Sequence, residues 1–442
     1  MAYRCRSCGY RSPKWMGRCP ACGAWEVFER AEEKEKGRPR LSGAPQPLPQ
    51  IQVNAEGRRQ TGIEEFDRTL GGGIIPGSVL LIGGEPGVGK STLLLQVAEG
   101  IARRHGLVLY ISGEESPGQI KLRADRLGVN SDRLLILGEQ SLSRIEEAIQ
   151  DLSPTAILVD SIQSVFPPDD KTHELGSLRQ VREVSAAFTY MAKSQGIPTL
   201  LVGHITKGGE FAGPKAIEHM VDVALYLEGE ADGPVRMLRA VKNRFGSIDE
   251  VGVFEMGETG LKEITDPSGF FIRKGQEERS GSAVVPSLEG SRPILVEIQA
   301  LVARAYGNYA QRRATGLDLN RMALWLAVVE KRLDVQIGRE DVYLNVAGGL
   351  VIRETAVDLG ATAAIVSSFT NRPISQDVVI VGEVGLNGEV RGVKRLRERL
   401  VEAERLGYRR AIVPAIRDIN GLDTLKPDPV TDIEAAMEAL SL

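Results

Sequence analysis

At 442 residues, with 26% of them charged and a formal net charge of -4, the chain is too long for one ordinary domain and too acidic to coat nucleic acid with its whole surface. Hydrophobic residues make up 42% and aromatic residues only 5%, which predicts mainly aliphatic cores. No run approaches the roughly 18 apolar residues of a membrane span and the N-terminus does not read as a signal peptide, so a cytoplasmic protein with no membrane partner is expected.

All four cysteines lie between Cys5 and Cys22. Cys5-Arg6-Ser7-Cys8 and Cys19-Pro20-Ala21-Cys22 are two C-x-x-C knuckles, which predict one tetrahedral four-cysteine zinc site in a finger over residues 1–28. A segment this short has little core of its own, so the metal is expected to supply its folding free energy, on the order of 10–16 kcal/mol. A redox role is the weaker alternative, because knuckles this close leave no room for a thioredoxin-like unit. Arg4, Arg6, Arg11, Lys14 and Arg18 surround the cysteines with Tyr3, Tyr10, Trp15 and Trp25 interleaved, and no acidic residue precedes Glu26. That pattern suits contact with nucleic acid or with an acidic partner surface, or simply a solvated small fold. Residues 29–55, with mixed charges and then Pro39, Pro45, Pro47 and Pro49, read as a flexible linker.

The next domain is expected over residues 56–275. Gly84-Glu85-Pro86-Gly87-Val88-Gly89-Lys90-Ser91 fits the phosphate-binding pattern G-x-x-x-x-G-K-[ST] without a mismatch. An apolar run from Val79 to Ile82 precedes it as a strand. Thr92 to Arg104 follows as a helix, with Leu94, Val97, Ala98 and Ile101 on one face. Gly84 through Thr92 are therefore the expected nucleotide-binding residues, with backbone N–H groups around phosphate oxygens, Lys90 on the β and γ phosphates and the Ser91 hydroxyl on Mg²⁺. Short apolar runs then alternate with helical segments, which predicts an α/β fold with a mainly parallel sheet, followed by closely spaced antiparallel runs after Val223.

Polar groups cluster at the ends of those runs, where such sheets bind ligands. Asp160 closes Ile157-Leu158-Val159-Asp160 and is the expected Mg²⁺ partner. Glu114 or Glu115, after Ile111-Ser112-Gly113, is placed to activate the attacking water. His204, after Leu201-Val202-Gly203, is placed to sense the γ-phosphate, and the glycine-rich segment beyond it carries Lys207 and Lys215 as candidate contacts to a polyanion. Each has a plainer reading: a helix cap for Asp160, a solvated turn for the glutamates, a sheet-edge residue for His204 and a surface loop for the lysines.

The last domain is expected over residues 282–442. Leu317 to Arg332 reads as a helix with Met322, Leu324, Trp325, Val328 and Val329 toward a core. Val342 to Val346 and Val378 to Val381 read as strands, and Lys394 to Leu406 as a helix stopped by Gly407.

Thr61 to Gly77, the phosphate loop, Glu114, the Asp160 strand and the His204 loop together resemble the ATPase core shared by RecA-type recombinases, replicative hexameric helicases and circadian-clock ATPases. Lys242-Asn243-Arg244-Phe245-Gly246, joined to the four-cysteine finger, narrows the resemblance to the bacterial RadA (Sms) family. It covers essentially the whole chain and implies a finger, a RecA-like core and a Lon-protease-like α/β domain, with ATP, Mg²⁺ and Zn²⁺ as cofactors. The activity it implies is a DNA-dependent ATPase and hexameric helicase promoting branch migration in recombination and repair. The implied partners are single-stranded and branched DNA and a RecA recombinase. In related rings a Lys and an Arg reach into the neighbouring subunit's site, and Lys242 and Arg244 match them; such cations are worth about 10³–10⁵ in rate.

From Arg312 to about Pro414 the chain is similar to the proteolytic domain of Lon, whose Ser lies in Gly-Pro-Ser-Ala-Gly and whose Lys follows Gly-Gly-Leu on a helix. Alignment sets Ala356 opposite the nucleophile and Arg397 opposite the Lys, so a protease fold without protease chemistry is expected. It is left to hold the ring together or, through its arginines and lysines, to meet duplex DNA. Readings from other classes are a clock-like ATPase that phosphorylates itself and binds only proteins, and an ATP-dependent protease.

Overall fold

The computed structural model describes residues 3–8, 10–12, 14–25, 28–30, 47, 57–167, 176–204, 215, 217–229, 233–272, 279–305, 309–415, 419 and 421–442. The chain divides into two compact units, residues 1–55 and 56–442. In the first, β1 (Tyr3–Cys5) pairs antiparallel with β2 (Arg11–Ser12) and β3 (Phe28–Arg30). So small a sheet encloses little apolar volume: among the described residues Cys5 and Cys19 form its buried cluster, with Tyr3 and Met16 against them. Most of the expected linker lies outside the described residues.

The second unit begins with α1 (Glu64–Thr69) and a sheet of nine strands. Six are mutually parallel: β4 (Val79–Gly84), β5 (Val108–Ser112), β6 (Leu134–Gly138), β7 (Ala156–Asp160), β8 (Thr199–Val202) and β9 (Val223–Glu228). An antiparallel meander, β10 (Val235–Asn243), β11 (Val251–Gly257) and β12 (Gly260–Glu263), extends one edge. The order is β12-β11-β10-β9-β4-β8-β7-β5-β6, which puts β4 in the middle. Strands β4, β5 and β7 are buried along their whole length because helices cover both faces, so their sequences run apolar without alternation. On one face α2 (Lys90–His105) and α3 (Pro117–Leu127) pack with α1. On the other, α4 (Leu142–Leu152) and α5 (Leu178–Gln195) bury Ile145, Ile149, Val184 and Phe188.

After α6 (Pro267–Phe271) comes a second sheet of β13 (Ser282–Glu289), β14 (Arg292–Arg304), β15 (Arg312–Thr315), β16 (Glu340–Val346) and β17 (Val378–Ile380). A small hairpin, β18 (Glu383–Val384) and β19 (Val390–Arg391), precedes its last two strands, β20 (Arg410–Pro414) and β21 (Lys426–Val430). The seven-stranded order is β15-β16-β14-β13-β17-β20-β21. Helices α7 (Leu319–Arg332), α8 (Asp358–Thr370), α9 (Leu396–Arg405) and α10 (Ile433–Leu440) cover it.

The two sheets share one apolar core, in which Val235, Met237, Val251 and Val253 pack with residues of β13, β14 and α8. Arg292, at the start of β14, reaches back to Glu65 of α1 at 2.9 Å, and that carboxylate is 1% exposed. Arg239 on β10 meets Glu289 on β13 at 2.8 Å. An ion pair this deeply buried orients more than it stabilises, because desolvation offsets most of the Coulomb gain.

Expectations change in detail: helices α7 and α9 begin at Leu319 and Leu396, each two residues after the expected start. Met322, Trp325, Val328 and Val329 of α7 are buried as predicted, but Leu324 is exposed: the buried stripe runs 322, 325, 326, 329, and position 324 falls on the other side of the turn. Helix α2 begins at Lys90, two residues before the expected start, inside the phosphate-binding pattern itself.

Candidate functional site

The phosphate loop joins a fully buried central strand to a fully formed helix. Gly84 closes β4 at φ +155°, where a Cβ would meet the Leu227 carbonyl at 2.5 Å, so the turn requires glycine. Gly89, at φ +112°, caps α2, and the first helical hydrogen bond runs from Leu93 N–H to Gly89 O at 2.9 Å. The N–H groups of Lys90, Ser91 and Thr92 therefore have no carbonyl within the helix and stand at its positive end, the arrangement that receives phosphate. Glu85, Pro86 and Gly87 are exposed at the rim, and Val88 is tucked beneath. The Lys90 ammonium is buried and donates to the carbonyls of Gly84 and Glu85, both at 2.9 Å, which holds it over the loop. Burial pulls its pKa down from the usual lysine range, against the opposing charges of Asp160 and Glu114. Arg236, 3% exposed, donates to the Val88 carbonyl at 3.1 Å and so braces the loop from behind.

Because β4, β8, β7 and β5 are neighbours, the residues at their C-terminal ends converge beside this loop. Asp160 is buried, and the Tyr110 hydroxyl donates to its Oδ2 at 2.7 Å. The Ser161 hydroxyl donates to Glu114 Oε1, and His204 Nε2 lies 3.7 Å from the same oxygen. Burial and then the Lys90 charge push the His204 pKa below its usual value, while Glu114 and Asp160 oppose the shift. Lys90, Asp160, Glu114 and His204 thus form one electrostatic cluster.

Glu115 is engaged by another element. It is paired with Arg123 of α3, and its N–H donates to the Ser112 hydroxyl at 3.1 Å. The geometry separates two adjacent glutamates that the sequence leaves equivalent. Arg123 Nη1 is buried without a hydrogen-bond partner among the described residues.

Lys242 and Arg244 do not join this cluster within one chain. Lys242 stands opposite Ala224 near the start of β9, and its ammonium donates to the Glu218 carbonyl at 2.9 Å. Arg244 pairs with Asp222 at 3.2 Å, and that buried carboxylate also accepts from Val79 N–H, at the first residue of β4. Arg244 is therefore near the opposite end of the central strand from the phosphate loop, roughly 17 Å from Gly84 at about 3.3 Å per residue, while Lys242 stands level with Leu81, three residues before Gly84. Lys215 is exposed, and Lys207 lies outside the described residues.

In the first unit, the sulfurs of Cys5, Cys8, Cys19 and Cys22 all lie within 4.8 Å of one another. Cys5 Sγ is 3.7 Å from Cys22 Sγ, and Cys8 Sγ is 3.6 Å from Cys19 Sγ. A tetrahedral Zn²⁺ with bonds of about 2.3 Å demands sulfurs about 3.8 Å apart, so the four thiolates fit that ion. Cys5 N–H donates to Tyr10 O and Cys19 N–H to Ala24 O, both at 2.8 Å, which shapes the two knuckles.

In the Lon-like region Ala356 is buried in the turn that leads into α8. The arginine beside that turn is Arg399, not Arg397. Helix α9 buries Leu396, Arg399, Leu400 and Ala403 at helical spacing, and Arg397 falls on the exposed face. Arg399, 1% exposed, makes a two-pronged pair with Glu354, with Nη1 to Oε1 at 2.7 Å, and also donates to the Pro286 carbonyl. Glu354 further accepts from Ser287 Oγ at 2.9 Å and from Leu288 N–H.

Tyr110, Arg123 and Arg236 are not legible as site residues in the sequence, and Arg399, one of the arginines expected to offer a basic surface, is buried instead. Tyr110 sits two positions before Ser112 on a strand, so its inward direction follows from alternation once the strand is placed.

Three segments match known domain families: residues 3–30 the rubredoxin metal binding domain, residues 45–210 the AAA domain, and residues 331–431 the Lon protease (S16) C-terminal proteolytic domain. Along its whole length the chain is 48% identical over 448 residues to the DNA repair protein RadA of Bacillus subtilis, covering 99% of this chain and 97% of that one. It is 46% identical over 449 residues to the protein of the same name from Halalkalibacterium halodurans, covering 100% and 98%. With the Listeria monocytogenes protein it shares 45% over 442 residues, covering 99% and 96%. Its cofactors are Zn²⁺ in the cysteine site and ATP with Mg²⁺ at the phosphate loop. A four-cysteine finger, a RecA-like ATPase core and a Lon-like domain, matched end to end by these relatives, make the chain a member of the bacterial RadA family.

Proposed function

We propose that this protein is a DNA-dependent ATPase of homologous recombination and repair. It works as a six-membered ring that moves on single-stranded DNA and drives branch migration of recombination intermediates. Its relatives are named DNA repair proteins, which supports DNA as the polymer. The observation that carries the ring is the position of Arg244, about a strand's length from its own phosphate loop, with the Lys242 ammonium committed to the Glu218 carbonyl rather than to that loop. A cation at that end serves a γ-phosphate only when the phosphate belongs to another subunit.

In this reading Lys90 and the N–H groups of residues 84–92 hold the phosphates. Ser91 and Asp160 hold Mg²⁺, and Glu114, kept by Ser161 and facing His204, orients the attacking water. His204 senses the γ-phosphate and passes its presence to the segment bearing Lys207 and Lys215, which meets DNA. The Lon-like domain, covering residues 282–442, supports the ring and carries no proteolysis, since Ala356 has no nucleophile and Arg399 is committed to Glu354. The finger engages DNA or a RecA-type recombinase. No helix among the described residues is long and apolar enough to cross a membrane, and a cytoplasmic site of action follows from the DNA substrate.

The test is ATP turnover with and without single-stranded DNA, at low and high salt, alongside a native mass measurement with a non-hydrolysed ATP analogue. Stimulation that fades steeply with salt, together with a six-subunit mass, is expected. Turnover indifferent to saturating DNA, with label from γ-labelled ATP retained on the protein, would instead mark the clock-like ATPase.

A further inference from the structure

We infer that the zinc finger binds single-stranded nucleic acid by stacking bases on Trp15 and Trp25. The inference rests on the reading of DNA as the polymer and adds the residues and the mode of contact. Trp15 is 55% and Trp25 69% exposed, although an indole is among the side chains that gain most from burial. The chain has three tryptophans, and the third, Trp325, is 3% exposed in the core under α7.

The two exposed indoles flank the second cysteine knuckle in the sequence. Trp15 Cη2 lies 3.9 Å from where a Cβ on Gly17 would stand, so the glycine leaves that flank of the ring uncovered. The next residue, Arg18, forms an antiparallel backbone bridge with Trp25. Its guanidinium sits 5.6 Å from the Trp25 ring centroid, held there by a hydrogen bond from Nε to Gly23 O at 3.1 Å. Before Trp15, Ser12 accepts from Lys14 N–H at 3.2 Å and donates to Lys14 O at 2.6 Å, which fixes the backbone where the indole departs. Lys14 and Arg18 are exposed beside the rings, and the sequence has no carboxylate before Glu26.

Flat apolar faces alternating with cations match the repeat of a single strand, in which each base offers a face and each linkage a negative charge. A purely acidic partner would need the cations and leave the indoles unused. Arg18 braces the Trp25 ring, and Ser12 sets the backbone that enters Trp15.

The test uses the full-length chain carrying Trp325→Phe, so that tryptophan emission comes from the finger alone. Titration with an oligothymidylate is expected to quench that emission saturably, at concentrations that rise steeply with salt. An abasic oligomer of the same length and charge, and polyglutamate, are expected to leave it unchanged. In the otherwise natural chain, Trp15→Ala and Trp25→Ala, both at exposed positions that spare the fold, should each weaken oligothymidylate binding by about tenfold. Equal quenching by the abasic oligomer would reduce the contact to charge, equal quenching by polyglutamate would make it an acidic-protein site, and no quenching at all would remove it. Anisotropy of a labelled oligomer and DNA-stimulated ATP turnover are read in the same samples. If both persist without quenching, stacking fails and the DNA-dependent ATPase stands; if both vanish as well, that reading fails too.

Discussion

The phosphate loop and the turn around Ala356 both lead into the N-terminus of a buried helix, and both gather charged side chains there. In the first, among the described residues Lys90 is held by backbone carbonyls alone, Glu114 Oε1 accepts from the Ser161 hydroxyl and faces a histidine at 3.7 Å, and the first N–H groups of the helix have no carbonyl within it. In the second, Arg399 and Glu354 meet two-pronged, and Glu354 is also bound by Ser287 and Leu288. One cluster retains bonding capacity for a ligand; the other has spent it on itself. The difference teaches that charge density alone does not make a site: a site keeps donors and acceptors whose best partner is not the protein.

Substitutions at the two turns should fail in different ways. Lys90→Ala should reduce ATP turnover by roughly 10²–10³-fold or more while leaving the thermal midpoint nearly unchanged, as read by phosphate release and calorimetry. Arg399→Ala should do the reverse, destabilising the fold by about 3–5 kcal/mol by leaving Glu354 half-buried and unpaired, with turnover per folded molecule retained. Replacing Glu354 and Arg399 together with leucines should recover much of that loss. If the pair of leucines were no better than the single change, or if Arg399→Ala abolished hydrolysis in folded protein, the closed cluster would be functional after all.

Within the open cluster, Tyr110→Phe removes the hydroxyl that donates to Asp160. The Mg²⁺ concentration for half-maximal turnover should then rise about 3–10-fold with little change in nucleotide affinity. An unchanged Mg²⁺ requirement would mean that Asp160 is positioned by its strand alone. The smallest effect is expected from the finger: Cys19→Ala should unfold it through loss of zinc yet leave DNA-independent turnover within about twofold, measured against metal content. Loss of that basal rate would tie the finger to the nucleotide site.

Legibility in the sequence follows how locally each feature is built. The phosphate loop and the cysteine knuckles are readable because spacing within a few residues sets their chemistry, and β4, β5 and β7 because buried parallel strands spell continuous apolar runs. Helix α8 gives no helical stripe, since Asp358 through Ser367 is buried on every side and small residues fill it. Leu324 misleads because apolar identity does not dictate burial, whereas the packed face is set by Met322, Trp325, Leu326 and Val329. Alignment in the sequence sets Arg397 opposite the Lon lysine, and only the face of α9 that packs inward shows that Arg399 is the arginine buried beside the turn. Arg236 has no signal as a brace of the loop, since the Val88 carbonyl it meets there is distant in sequence.

The central claim is that the phosphate loop of one subunit needs Lys242 and Arg244 of another. Arg244→Ala alone should bind nucleotide nearly normally and turn over slowly, because its lost group acts across the interface. The direct measurement mixes Lys90→Ala protein with Arg244→Ala protein in the presence of single-stranded DNA. The intact loop of an Arg244→Ala subunit beside the intact arginine of a Lys90→Ala subunit should restore turnover well above the sum of the separate rates. A mixture that subunit exchange is shown to have equilibrated, yet whose rate only equals that sum, would contradict the composite site.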